Sequence, residues 1–229
     1  MKLNRCSAPI RHVSQGLVAA LAVWGAATVH AADTSGTTTS QLDRKDTSFI
    51  KDAAQGNEAE VQLGKLALEK ATSPDVKQLG QHLQTDHTKA NQDLMQLAQT
   101  KGVTLPTEPP RKEERLADRL QDKSGSDFDK AFAEHAIKDH QKDIQKYEKA
   151  MQNSKDADLK AYIEKCLPVL RQHLQMARNA GAAVGVEQKV LLSADKFLSS
   201  HPIEGVGTAP GSETGKSTTG DSSDLNRTK

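Results

Sequence analysis

Apolar residues recur at three- and four-residue spacing across most of residues 43 to 180, and no stretch alternates as a strand would. The pattern predicts helices throughout. The first runs from about Asp43 to Ala71 and stops at Thr72-Ser73-Pro74, where Ser73 can cap the next helix and Pro74 fits its first position. The second continues to Lys101 and closes on Gly102. GVTLPTEPP then interrupts the pattern with prolines that no helix interior tolerates. A shorter amphipathic segment, RKEERLADRLQDK, follows. A third long helix is expected from about Asp127 to Gln152 and a fourth from Asp156 to Ala180, ending at Gly181. EQKVLLSADKFLSS reads as a short extra helix within residues 182 to 200.

Four long helices with tight turns between the first two and the last two describe an all-α, four-helix bundle over residues 43 to 181. The long middle connection can cross the length of such a bundle, as in ferritin-like topology. A simple up-down order is the alternative.

At about 100° per residue, each apolar stripe can be searched for polar intruders. Asn57 and Glu60 fall inside the first stripe, among Phe49, Ala53, Val61, Gly64 and Leu68. In the second, Leu79, Leu83, Ala90 and Leu94 bracket His87, with Asp86 at the margin. His140 is central in the third, flanked by Asp139 and Asp143, and His173 lies between Leu170 and Leu174 in the fourth. Each helix thus turns one strong donor inward: Glu60, His87, His140 and His173. Two of these belong to a repeated frame, H-x-x-x-D-H-x-K, read as HLQTDHTK from His82 and HAIKDHQK from His135. Only the second histidine of each frame reaches the stripe, and His82 and His135 are expected at the edge or in water.

Folding the first two helices about Ser73 brings Glu60 within about two residues of His87, near 3 Å at the helical rise. Neutral imidazoles with a carboxylate suit a transition metal (zinc, copper, iron or manganese), with Asn57, Asp86 and Asp139 as outer partners or extra ligands. The competing reading is a buried polar network without an ion.

Composition changes the picture at the two ends. Lys2, Arg5 and Arg11 precede the apolar run GLVAALAVWGAATV, and Val29-His30-Ala31 offers small residues for cleavage, so residues 1 to 31 read as a signal peptide. Removing three basic residues from the 31 Lys and Arg leaves 28 against 30 Asp and Glu, a mildly acidic chain with no electrostatic case for nucleic acid. Cys6 leaves with the signal, so Cys166 would stand alone and no internal disulfide is expected. Residues 32 to 42 read as a flexible leader. From His201 onward the chain is rich in Gly, Ser and Thr and is expected to be disordered. No membrane span is expected after cleavage, so outer-membrane association would require a partner. G-x-S-x-G, H-E-x-x-H and a Gly-rich phosphate loop are all missing, and no catalytic grouping of nucleophile and base is legible.

AAQGNEAEVQLGKLALEKATSPDVKQLGQHLQTDHTKANQDLMQLAQTKGVTLP, with FDKAFAEHAIKDHQK and LPVLRQHLQMA after it, closely resembles domain-of-unknown-function family 4142, a family of exported bacterial proteins. The resemblance implies a ferritin-like four-helix bundle; its recurring D-H pairs match Asp86-His87 and Asp139-His140, and its late histidine matches His173. It brings no activity. True di-iron bundles carry Glu three residues before the ligating His, whereas Gln84, Ile137 and Leu170 stand at those positions here.

The function expected is that of a periplasmic bundle binding a transition metal through its inward His and Glu set, or serving envelope stress tolerance. A non-catalytic module contacting other envelope proteins is the rival. A di-metal oxidase-like enzyme comes third.

Overall fold

The computed structural model describes residues 42–108 and 110–202. These hold six helices and no strand: α1 (Arg44–Lys70), α2 (Pro74–Lys101), α3 (Arg111–Gln121), α4 (Gly125–Asn153), α5 (Ala157–Ala183) and α6 (Gln188–Ser200). The expected signal segment, nearly all of the leader and the expected tail beyond Pro202 lie outside the described residues. No described helix is long and apolar enough to cross a membrane.

Capping chemistry sets the helix ends. The Asp43 carboxylate accepts from the Asp46 amide at 2.8 Å, and Asp156 accepts from the Leu159 amide at 2.9 Å. Each supplies one of the orphan amides of a first turn with an acceptor. Ser73 does the same for Val76 at 3.5 Å, one residue before Pro74. Gly102 ends α2 in the left-handed region, at φ 68°. One expected stop is corrected. Gly181 does not end α5, which runs on to Ala183, ahead of Gly185 at φ 77°. Gly181 is buried, and a Cβ there would lie 3.1 Å from the Ile137 Cδ1 and 3.3 Å from the Leu191 Cδ2. It makes room for neighbouring side chains instead of breaking the helix.

Ion pairs and caps at the two ends of the helices fix how the elements lie. Lys101, at the end of α2, meets Asp156 at 2.6 Å and Asp158 at 2.7 Å, at the start of α5. At the opposite end, the buried carboxylate of Asp129 in α4 accepts from the amides of Thr72 (3.1 Å) and Ser73 (2.9 Å), in the turn between α1 and α2. Because α2 ends near Lys101 while α4 begins near Asp129, the connection through α3 travels the length of the helices before α4 starts. α1 packs along α2, α4 along α5, α2 against α5 and α1 against α4.

Between α1 and α2 the backbones touch. A Cβ on Gly64 would come 2.6 Å from the Gly80 carbonyl oxygen, and one on Gly80 would come 2.7 Å from the Ala67 Cβ. The interior is otherwise filled by Leu79, Leu83, Leu94, Phe128, Phe132, Ile137, Ile144, Leu159, Ile163 and Leu174, all essentially inaccessible. Burying such a side chain contributes roughly 1.5–3 kcal/mol. A polar ring in that setting must find partners or cost free energy.

Candidate functional site

Three imidazoles occupy this interior. His87 on α2 is 5% exposed, and His140 on α4 and His173 on α5 are fully buried. Their ring centroids form a nearly regular triangle with sides of 5.9, 5.4 and 5.4 Å. One nitrogen from each lies within 4.8 Å of the other two.

Hydrogen bonding settles which nitrogens face one another. The His140 Nδ1 lies 3.0 Å from the Ala136 carbonyl oxygen, which can only accept, so Nδ1 carries the proton. The His173 Nε2 lies 2.9 Å from the Asp86 carboxylate and donates in the same way. The His87 Nδ1 lies 3.0 Å from the Asn57 Oδ1, and Asn57 uses its amide nitrogen on the Tyr162 hydroxyl at 3.3 Å. The Asn57 Oδ1 that faces the ring can only accept, so His87 donates too. The nitrogens left over are the Nε2 of His87, the Nε2 of His140 and the Nδ1 of His173. All three are buried without a hydrogen-bond partner. Each ring thus bonds outward through one nitrogen and keeps the other buried and unpartnered beside its two neighbours.

Electrostatics keeps His87 and His140 neutral. Burial, then His173 and His140, holds His87 well below the ordinary imidazole value. Burial, then His173, pushes His140 down to about 3. The hydrogen bond from His173 holds the Asp86 carboxyl below its usual range, with a smaller contribution from His82. The His82 Nδ1 stands 3.6 Å from Asp86 at the half-exposed rim.

A cavity of about 180 Å³ adjoins the triad, bounded by Asn57, Asp86, His87, Tyr147, Cys166 and His173 among others. Burial pushes the Cys166 thiol up to about 11, so it faces the cavity as a protonated, weakly nucleophilic group. Tyr162, packed near Tyr147, links the Asn57 amide to this wall.

Of the residues singled out in the sequence, His87, His140 and His173 come together, and Asn57 and Asp86 brace two of them. Glu60 does not join them. Its carboxylate instead lies with His135 and Asp139, one atom from each within 4.8 Å. The Asn57–His87 contact centres the α1–α2 hairpin on residue 72 instead of Ser73. That centre sets Glu60 level with Gln84, three residues from His87, about 4.5 Å along the axis. Asp139 accordingly supports no ring of the triad, and a backbone carbonyl takes that role for His140. His135 adds a detail. It was expected at the edge or in water and is half-buried at the edge, but its Nε2 is enclosed without a partner, which the expectation did not include. α3 packs on α1 and α4, and its Lys112 and Glu113 lie close enough to act on the ring. Periodicity within one helix carries no signal for that cover.

No curated protein and no solved structure matches this chain. A family model described as Domain of unknown function (DUF4142) matches residues 31–180, which takes in α1 to α4 and nearly all of α5. The chain belongs to that family.

Proposed function

We propose that this chain is an exported, periplasmic four-helix-bundle protein with ferritin-like connection order that holds one transition-metal ion between His87, His140 and His173. The observation that carries the reading is the meeting of three buried imidazoles, one nitrogen of each within 4.8 Å of the others, while each ring keeps one buried nitrogen without a partner. In a metal-free network one ring would be expected to turn and donate to another. Here each ring has its proton committed to an outward acceptor, the arrangement in which metal-bound histidines are commonly braced. Three neutral nitrogens suit zinc or copper(II) ahead of manganese. Zn–N bonds of about 2.1 Å would draw the rings slightly together.

A cation held by three imidazoles keeps coordination positions free, and it would act as a Lewis acid toward a small ligand entering from the neighbouring cavity. Asn57, Asp86 and the Ala136 carbonyl orient the rings, and Leu170 and Tyr147 in the cavity wall limit water. Export is read from Lys2, Arg5 and Arg11 ahead of the apolar run that follows. The bundle is supported by the pairing of α1 with α2 and α4 with α5 and by the long return through α3.

Metal analysis and calorimetric titration of the purified chain test this reading. One zinc or copper ion per chain is expected, at a stoichiometry lost in His87→Ala and His140→Ala. If no such ion binds, or if both variants keep it, the metal reading fails and a non-catalytic envelope module takes its place.

A further inference from the structure

The second gathering of donors lies apart from the triad, where α1 and α4 face each other under α3. Glu60 is 3% exposed, which is rare for a carboxylate without a cationic partner. Among the described residues no amide, guanidinium or ammonium group donates to it, and its hydrogen-bonding neighbour is the carboxyl of Asp139. Asp143 adds a third acid one turn along α4. Lys112, Lys142 and Lys146 stand at the rim of the same cavity, of about 250 Å³, where Lys112 is drawn to Glu113 at 3.2 Å and Lys146 to Asp52 at 4.0 Å. The His135 Nε2 is buried without a partner, and one nitrogen of that ring lies within 4.8 Å of the Glu60 and Asp139 carboxylates.

The electrostatic state agrees with this geometry. Burial, then Asp139 and Asp143, pushes Glu60 well above its usual range. Burial, then Asp139, raises Asp143 to about 7. Burial lowers His135, which leaves a neutral ring. Among the described residues no ion pair within 4.0 Å reaches Glu60, Asp139 or Asp143, and the His135 Nε2 is unused.

We propose that Glu60, His135 and Asp139 form a second cation site, separate from the triad, for a divalent ion that accepts carboxylate oxygen together with one imidazole. Carboxylates suit manganese, and a single imidazole extends the choice to iron(II). The triad lacks any carboxylate, so the two sites differ in chemistry and should sort ions by hardness. An ion here would offset the repulsion between Glu60 and Asp139 and tie α1 to α4 beneath α3.

The test uses the full chain after chelation and dialysis, with manganese(II) as probe. Uptake is read from loss of the free-ion electron paramagnetic resonance signal. One manganese ion per chain is expected. Glu60→Gln and Asp139→Asn should each weaken it at least tenfold, and His140→Ala should change it less than threefold. Helix content and melting temperature show whether each variant folds, and the half-buried Asp139→Asn tests the site even if Glu60→Gln does not fold. The proposal is overturned if no manganese binds, if folded Asp139→Asn binds it as wild type does, or if His140→Ala alone removes it.

Discussion

The frame H-x-x-x-D-H-x-K occurs twice, and the two copies end in different surroundings. In the copy on α2, His87 points into the triad, Asp86 turns to His173 on α5, and His82 remains half-exposed. In the copy on α4, His140 reaches the triad braced by its own backbone, while His135 and Asp139 meet Glu60 on α1. Identical local spacing thus yields the same inward second histidine but opposite fates for the first histidine and the acid. The helical period fixes direction. The neighbouring helix decides what lies there, and over α4 that neighbour includes α3.

The largest expected effect sharpens what the copies share. His87→Ala and His140→Ala should each weaken zinc or copper binding at least about a hundredfold, since losing a ligand should exceed the ten- to hundredfold typical of outer partners. Equal losses in a titration would show that both frames serve one ion, and a loss confined to one would break the comparison.

The acids come next. Asp86→Ala removes the acceptor that orients His173, so zinc affinity should fall about ten- to hundredfold. Asp139→Ala should leave zinc affinity within about threefold at the triad, because His140 leans on the Ala136 carbonyl. A competition assay with a chelating dye measures both.

The first histidines separate by a smaller margin. His135→Ala should lower manganese affinity at least about tenfold, because a proposed ligand is lost while the two carboxylates remain. The smallest effect is expected at His82, whose pairing with Asp86 spans 3.6 Å at a half-exposed position. His82→Ala should alter stability by less than about 1 kcal/mol in a denaturant melt. A larger change there would mean that the first frame also depends on its leading histidine.

The helices were legible because their signals are local. Ser73 with Pro74, Asp156 and Gly102 mark ends through chemistry that acts within one turn. The inward direction of His87, His140 and His173 was legible for the same reason, since a period of 3.6 residues needs no partner to state. Axial level was less accessible. A hairpin centre displaced by one residue moved Glu60 from the triad to another gathering of donors. The burial of His135 depends on where α3 docks, which amphipathicity alone does not specify. Gly181 shows a further limit: the same residue type ends a helix or admits a neighbour, and only packing distinguishes the two.

The bare contact between Gly64 and Gly80 carries a consequence for chemistry some distance away. Asn57 precedes Gly64 by seven residues and His87 follows Gly80 by seven, so the glycine pair and the amide–imidazole pair lie two turns apart on one antiparallel seam. Any methyl group inserted at the glycines would act as a wedge, prying the seam apart and lengthening the reach of Asn57 toward the ring. The tuning of one imidazole is thereby tied to a position that carries no chemistry of its own.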